Sequence, residues 1–279
     1  MKLIALTTIA MIAFAANSVL ARLAFASAGA EPVSYTGIRL AAGAVTLAVL
    51  LALRRQSVRP AGSWYGAAAL FGYAILFSVA YILLGAGTGA LILFASVQIG
   101  ILGWAIYKGD RPSAIEWAGF IVAFAGLVYL VSPGMVAPNP LGALLMLIAG
   151  LCWAAYTLIG RASSSPLGDT AGNFLRCAPL AVVMIVAGAV THGASPAAAI
   201  YAIASGAGAS GVGYAIWYSV LPKLTRTRAA VVQLTVPAIA ATGGVLFIGE
   251  ALSLRLVIST IAIIGGVALA LAASGRRRS

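Results

Sequence analysis

Few residues in this chain can do chemistry, and most of them sit inside apolar runs. Asn17, Gln98 and Gln233 are amides set within apolar runs. An amide neither shuttles protons nor attacks carbon at neutral pH; it donates and accepts hydrogen bonds. Its natural chemistry is recognition of a polar solute. Aromatic residues with polar tips gather in the same runs: Tyr81, the pair Trp153 and Tyr156, and the trio Tyr214, Trp217 and Tyr218. Pro237 lies in the run that holds Gln233. A proline removes the bond to the carbonyl four residues earlier, here that of Gln233. Broken backbone at membrane depth is tolerated where it lines a cavity. These residues together are the expected walls of a solute cavity. Pro179 frees the Leu175 carbonyl in the same way, and a packing kink accounts for it equally well.

Catalysis finds little to work with. The acids are Glu31, Asp110, Glu116, Asp169 and Glu250, all at the edges of apolar runs, and His192 is the single histidine. A membrane enzyme needs clustered catalytic groups, so no catalytic residue, cofactor or metal is expected. A proton-coupled cation pump needs a carboxylate at membrane depth, which leaves facilitated efflux as the better fit. Channels need rings of charge or a filter loop, and neither is visible. Cys152 and Cys177 fall in apolar runs and read as small packing residues.

The elements that hold these residues follow from composition. The 279 residues are 62% hydrophobic and 8% charged, against about 25% charged in soluble domains. About 20 apolar residues cross the hydrocarbon. Ten stretches qualify: Leu3–Ala28, Ser34–Leu53, Ser63–Leu84, Thr88–Tyr107, Ala114–Val131, Leu141–Gly160, Thr170–Thr191, Ala197–Leu221, Arg228–Phe247 and Leu254–Ala273. They are continuous runs, which argues against a barrel. Lys2 and the Ala13-Phe14-Ala15 stretch also fit a cleaved leader, but the apolar run continues well past that point. The expected fold is all-α and integral to the membrane.

The net charge of +12 is topology and not a nucleic-acid surface. Lys2, Arg54, Arg55, Arg59, Lys108, Arg111, Arg161, Lys223, Arg226, Arg228 and the final Arg276, Arg277 and Arg278 fall in the N-terminus and every second segment between the runs, which is one side of the membrane. Cytoplasmic loops retain Lys and Arg. Both termini are therefore expected in the cytoplasm, in a cell's inner membrane. The expected partners are a small-molecule solute and membrane lipid, with the chain a monomer or weak homodimer.

A shift of 139 residues sets Phe14-Ala15-Ala16-Asn17 on Trp153-Ala154-Ala155-Tyr156 and Arg22 on Arg161. A shift of 140 sets Gly109-Asp110 on Gly249-Glu250, and 137 sets Arg39 on Arg176. The chain divides into 1–134 and 135–279, five helices each. Five is odd, so the second half enters from the opposite side. Inverted repeats recur in secondary transporters, because two equivalent halves can open to opposite sides. The same symmetry suggests two ion pairs as gates or locks, Arg39 with Glu250 and Arg176 with Asp110, while Arg22 snorkels to the outer surface. The small residues Gly206, Gly208, Gly211 and Gly213 permit close helix approach.

Ten helices as inverted repeats resemble the drug/metabolite transporter superfamily in its EamA-like branch. The aromatic-small motifs at Phe14 and Trp153, the Gly-Asp110 and Gly-Glu250 turns, and the helices carrying Gly126 and Gly265-Gly266 share that resemblance. It implies a central cavity among helices 1–4 and 6–9, with helices 5 and 10 outside it. Known relatives export amino acids and other small metabolites, or carry sugar-phosphates and nucleotide-sugars. The expected function is export of a small metabolite by alternating access, amino acids foremost, through a largely neutral cavity with aromatic walls. Export of drugs or organic cations, or carriage of sugars, nucleotide-sugars or lipid-like solutes, is the alternative.

Overall fold

The computed structural model describes residues 2–54, 61–109, 111–132, 137–161, 163–192, 195–224, 232–233 and 235–276. Every regular element among them is helical: α1 (Lys2–Ser27), α2 (Pro32–Leu53), α3 (Trp64–Leu83), α4 (Ala86–Tyr107), α5 (Ala114–Val131), α6 (Pro140–Arg161), α7 (Pro166–His192), α8 (Pro196–Val220), α9 (Thr235–Ile248) and α10 (Leu254–Arg276). Seven are long and apolar enough to cross a membrane, and α5, α9 and α10 contribute shorter apolar stretches. This is a multi-pass membrane protein. Helix α1 begins at one end of the bundle. We call that end proximal and the other distal.

The acids do local structural work at helix ends. Glu31 caps α2, accepting from the backbone N–H of Val33 and Ser34, with Pro32 opening the helix. Ser113 and Glu116 form a reciprocal capping box on α5. Each capped N–H is a donor that lipid could not satisfy. The turns after α4 and α9 need left-handed backbone at Gly109 (φ 94) and Gly249 (φ 74). These glycines are repeat mates, and at each a side chain would be strained. After α9 the Gly249 N–H returns to the Val245 carbonyl, the 5→1 bond of an αL cap, and the Glu250 N–H to that of Gly244, so two end carbonyls are satisfied.

Packing follows a pseudo-two-fold pattern. Helix α6 packs on α3 and α4, as α1 packs on α8 and α9. The repeat mates α2 and α7 pack on each other, and so do α5 and α10. The last pair touches the rest of the bundle little. Gly119 and Gly266 make its contact: a Cβ on either would come within 2.5 Å of the other's carbonyl oxygen. Such close approach replaces hydrophobic driving force, which lipid does not supply between helices.

Two boundaries differ from the sequence reading. Helix α7 starts at Pro166, where proline suits a first turn, and not at Thr170. The N-terminal part of the run expected from Arg228 lies largely outside the described residues. The second difference matters more. Helix α8 is α-helical only over Pro196–Ile203 and Gly213–Val220, and Ala204–Val212 between them is a π-helix. The glycines expected to thin this stretch do permit close approach. Gly206 lies against the backbone of Arg39, and Gly211 against Thr46.

Candidate functional site

The centre of the bundle is aromatic. Trp153 of α6 is its hub, with ring centroids 4.8 Å from Tyr73, 5.1 Å from Tyr214, 5.4 Å from Tyr156 and 6.3 Å from Phe14. Phe14 also meets Tyr214 and Trp217, each at 5.7 Å. Phe14 and Trp153 are repeat mates, and they meet edge to face where the two halves join. Most contacts are tilted or T-shaped, the arrangements that ring quadrupoles favour.

A polar knot lies against this cluster. Asn17 Oδ1 accepts from Ser205 Oγ at 2.7 Å and from Ser210 Oγ at 3.3 Å. In an α-helix, residues five apart point about 140° apart. The wider π turn brings Ser205 and Ser210 to one face, where a single amide oxygen serves both. Arg39 reaches the same place, Nε donating to Ser210 Oγ at 3.3 Å and Nη2 to the Tyr73 hydroxyl at 3.0 Å. Its guanidinium lies 4.7 Å from the Phe77 centroid and 5.3 Å from that of Tyr73, a cation–π arrangement. Arg39 is only 2% exposed.

This overturns the expected Arg39–Glu250 pair. Glu250 is held by Arg22 instead, Nε to Oε1 at 2.9 Å. Its other oxygen accepts the Ala86 N–H at 2.7 Å, and Arg22 Nη1 donates to the Tyr81 carbonyl at 3.0 Å. Arg22 therefore does not snorkel. It ties α1 to the α3 end, the α3–α4 turn and the α9–α10 turn at the distal end. The reason is register. Arg39 enters α2 eight residues after its cap, about 12 Å down the helix, too deep for the α9–α10 turn. Arg22 lies at the right height. Gly85 and Gly244 leave room for the carboxylate, since a Cβ at either would crowd it at 2.9 and 2.7 Å.

Arg176 donates to the carbonyls of Ala61 and Gly172 and sits 5.7 Å from the Trp64 ring centroid. Its expected partner Asp110 lies outside the described residues. Beside it, Asp169 accepts from the Gly62 N–H and Asn173 from the Ser63 N–H. Helix α7 thus anchors the chain entering α3.

The other expected cavity residues divide. Asn17, Trp153, Tyr156, Tyr214 and Trp217 come together in the core. Tyr81 is fully buried one step distal, edge to face with Phe77 at 4.6 Å. Tyr218 is half-buried beside Gly160 at the proximal side. Gln98 is elsewhere: it lines an apolar groove of about 280 Å³ with Trp117, Phe124, Ile263 and others, between α4, α5 and α10. Gln233 and Pro237 are buried in α9 and the turn leading to it, which packs on α1. The freed Gln233 carbonyl depends on the turn through Leu234, outside the described residues. Sequence reasoning missed Tyr73, Ser205 and Ser210 as members of the site. Serines in a Gly-rich stretch give no periodic signal, and π geometry leaves none in composition.

Residues 140–272 match the EamA-like transporter family. Over 271 residues the chain is 50% identical to the uncharacterized protein PA1977 of Pseudomonas aeruginosa, covering 96% of this chain and 93% of that one. It is 30% identical over 167 residues to the threonine/homoserine exporter RhtA of Salmonella typhimurium, covering 55% and 53%. A solved crystal structure at 22% identity superposes with TM-score 0.67 over 99% of both chains, which bears on the fold alone. Repeat mates packed across a shared core, the Gly-Asp and Gly-Glu turns and these similarities converge: the chain belongs to the EamA-like transporter family.

Proposed function

We propose that this protein is a secondary transporter, and not an enzyme, that exports a small metabolite of the amino-acid class across the inner membrane. The observation that carries the reading is the join of two half-chains, 1–134 and 135–279, at an aromatic and polar centre. Phe14, Trp153, Tyr73 and Tyr214 supply ring faces there, and Asn17, Ser205, Ser210 and Arg39 supply hydrogen bonds. A site at the interface of inverted repeats can be exposed to either side by rocking one half on the other. The Arg22–Glu250 latch then closes the distal end, which the Lys and Arg distribution assigns to the outside. The similarity to a threonine/homoserine exporter over half the chain supports the amino-acid class.

The test is counterflow in proteoliposomes with labelled amino acids, sugars and organic cations. Trans-stimulated, saturable exchange of an amino acid, with KM raised by Asn17→Ala, supports the reading. Exchange confined to organic cations or sugars replaces the solute class. Flux without trans-stimulation replaces the carrier by a channel.

A further inference from the structure

The sequence alone points to a neutral cavity, yet a full cation stands at its centre. Arginine keeps its charge in any protein environment, and a buried charge is normally paired. Among the described residues Arg39 has no carboxylate partner, and its Nη1 has no hydrogen-bond partner. The described acids are committed elsewhere: Glu250 to Arg22 and Ala86, Asp169 to Gly62, Glu116 to its capping box, and Glu31 to its helix cap. The guanidinium is held in place by one serine, one tyrosine and two ring faces. Those contacts orient it and leave it uncompensated.

A second group near it is also unmatched. The Tyr35 hydroxyl, one turn distal on α2, is buried without a partner. It and the Tyr73 and Tyr214 hydroxyls lie close enough to feel the Arg39 charge. Tyr35 also lines a distal groove of about 260 Å³ with Ser34 and Ile38 of α2, Ile185 of α7, and Glu31 and Ser195, which cap α2 and α8. That volume is below the roughly 300–1,000 Å³ of drug-sized pockets. Tyr35 is thus shared by this small groove and the surroundings of the unpaired cation.

We propose that Arg39 is the subsite for the carboxylate of the transported solute, with the Tyr35 hydroxyl as the adjoining donor. The planar fork of a guanidinium matches a carboxylate, and a free Nη1 supplies the contact that no protein acid makes. Glu31 in the groove lining disfavours a solute of net negative charge. The solute that satisfies both is a zwitterion: a carboxylate for Arg39 and a cationic amine beside it. This proposal rests on the transporter reading above, and names the part of the solute that the site selects.

Two measurements on the purified full-length protein separate the two ideas. The first is thermal stabilisation in detergent by a panel of L-amino acids, each paired with its carboxamide. The second is counterflow of the same compounds in proteoliposomes. The expected result is stabilisation and exchange by one or more amino acids but not by their amides. Arg39→Gln should weaken both about 10- to 100-fold, the range of a hydrogen bond to a charged group. Arg39→Lys, which keeps the charge without the fork, should recover part of the loss. Tyr35→Phe should weaken binding without altering the ladder of amino acid over amide. Equal stabilisation by acids and amides, Arg39→Gln binding as wild type does, or no stabilisation by any member of the panel each overturns the subsite. Should Arg39→Gln fail to fold, Arg39→Lys and the acid–amide ladder of the wild type still decide. Stabilisation by acids without counterflow keeps the subsite and sinks the transporter reading. Counterflow insensitive to Arg39 does the reverse.

Discussion

The distal latch can be opened by one substitution, Arg22→Gln. This removes the cation that grips Glu250 and the bond to the Tyr81 carbonyl, and it leaves the Ala86 N–H to Glu250 bond in place. The side chains are 18% and 19% exposed. Exposed ion pairs contribute up to about 1 kcal/mol, and removing one partner of a fully buried pair costs about 3–5 kcal/mol. A pair one-fifth exposed lies between, so about 2 kcal/mol is the working figure. If the latch forms only when the distal end is closed, that energy raises the open population about 30-fold. Hydrogen exchange reads it directly. The Ala86 amide is held by the latch carboxylate, so a peptide covering the α3–α4 turn should exchange about 30-fold faster. Peptides from α5 and α10, remote from the latch, should keep their wild-type rates. Two results refute the reasoning. An unchanged rate at the turn means that the ion pair holds nothing shut. A uniform rise across all helices means that Arg22 stabilises the whole bundle.

Further substitutions test the site itself. Asn17→Ala leaves the Ser205 and Ser210 hydroxyls without their shared acceptor, at a cost of about 1–3 kcal/mol; thermal unfolding should show that loss, together with a raised KM in counterflow. Gln98→Ala should leave solute KM unchanged, because Gln98 lines the groove between α4, α5 and α10 and not the core; a tenfold change would return it to the pathway. Trp153→Ala removes the aromatic hub and should lower stability by about 3–5 kcal/mol, whereas Trp153→Phe should retain most of it and alter solute affinity. Gly119→Val drives a side chain into the Gly266 backbone and should part α5 from α10, seen as faster proteolysis or exchange in those two helices while the core remains protected.

Much of the fold was legible because lipid enforces simple rules. Each backbone polar group must be satisfied within a helix, so continuous apolar runs read as spans. Short turns then fix antiparallel neighbours. The repeat was legible through residues with backbone or core duties: Gly109 and Gly249 for positive φ, Phe14 and Trp153 at the join. The site was legible only in part. Asn17, Trp153, Tyr156 and Tyr214 stand out as polar or aromatic groups in apolar runs, and they do meet. Gln98 looks the same in sequence and faces another groove, because one apolar helix with polar neighbours on no fixed face gives no rotational phase. The π-helical stretch of α8 turns Ser205 and Ser210 inward, and nothing in its glycines and serines announces i→i+5 bonding. The arginines were misassigned for a related reason. Repeat symmetry relates Arg39 to Arg176, but height along the axis selects the partner of Glu250, and only Arg22 has that height.

Latch and centre are not independent parts. Glu250 binds Arg22, Arg22 binds the Tyr81 carbonyl, the Tyr81 ring packs at 4.6 Å on Phe77, and Phe77 carries the Arg39 guanidinium at 4.7 Å. Tyr81 and Phe77 are one helical turn apart on α3, so a shift of α3 that frees the distal end also moves the ring face under the cation. Spatial continuity alone does not demonstrate coupling, but linkage fixes what coupling would require. If a solute carboxylate on Arg39 loosens the latch by some factor, opening the latch must change solute affinity by that same factor. An uncompensated arginine makes such an exchange physically reasonable. Without solute, the cation draws on the Phe77 and Tyr73 ring faces and holds α3 toward the centre. In the proposal above, a carboxylate on Nη1 compensates that charge with charge-assisted bonds, which weakens its pull on the ring faces and with it the hold on α3. On this account the charge that resets the site arrives and leaves with the solute.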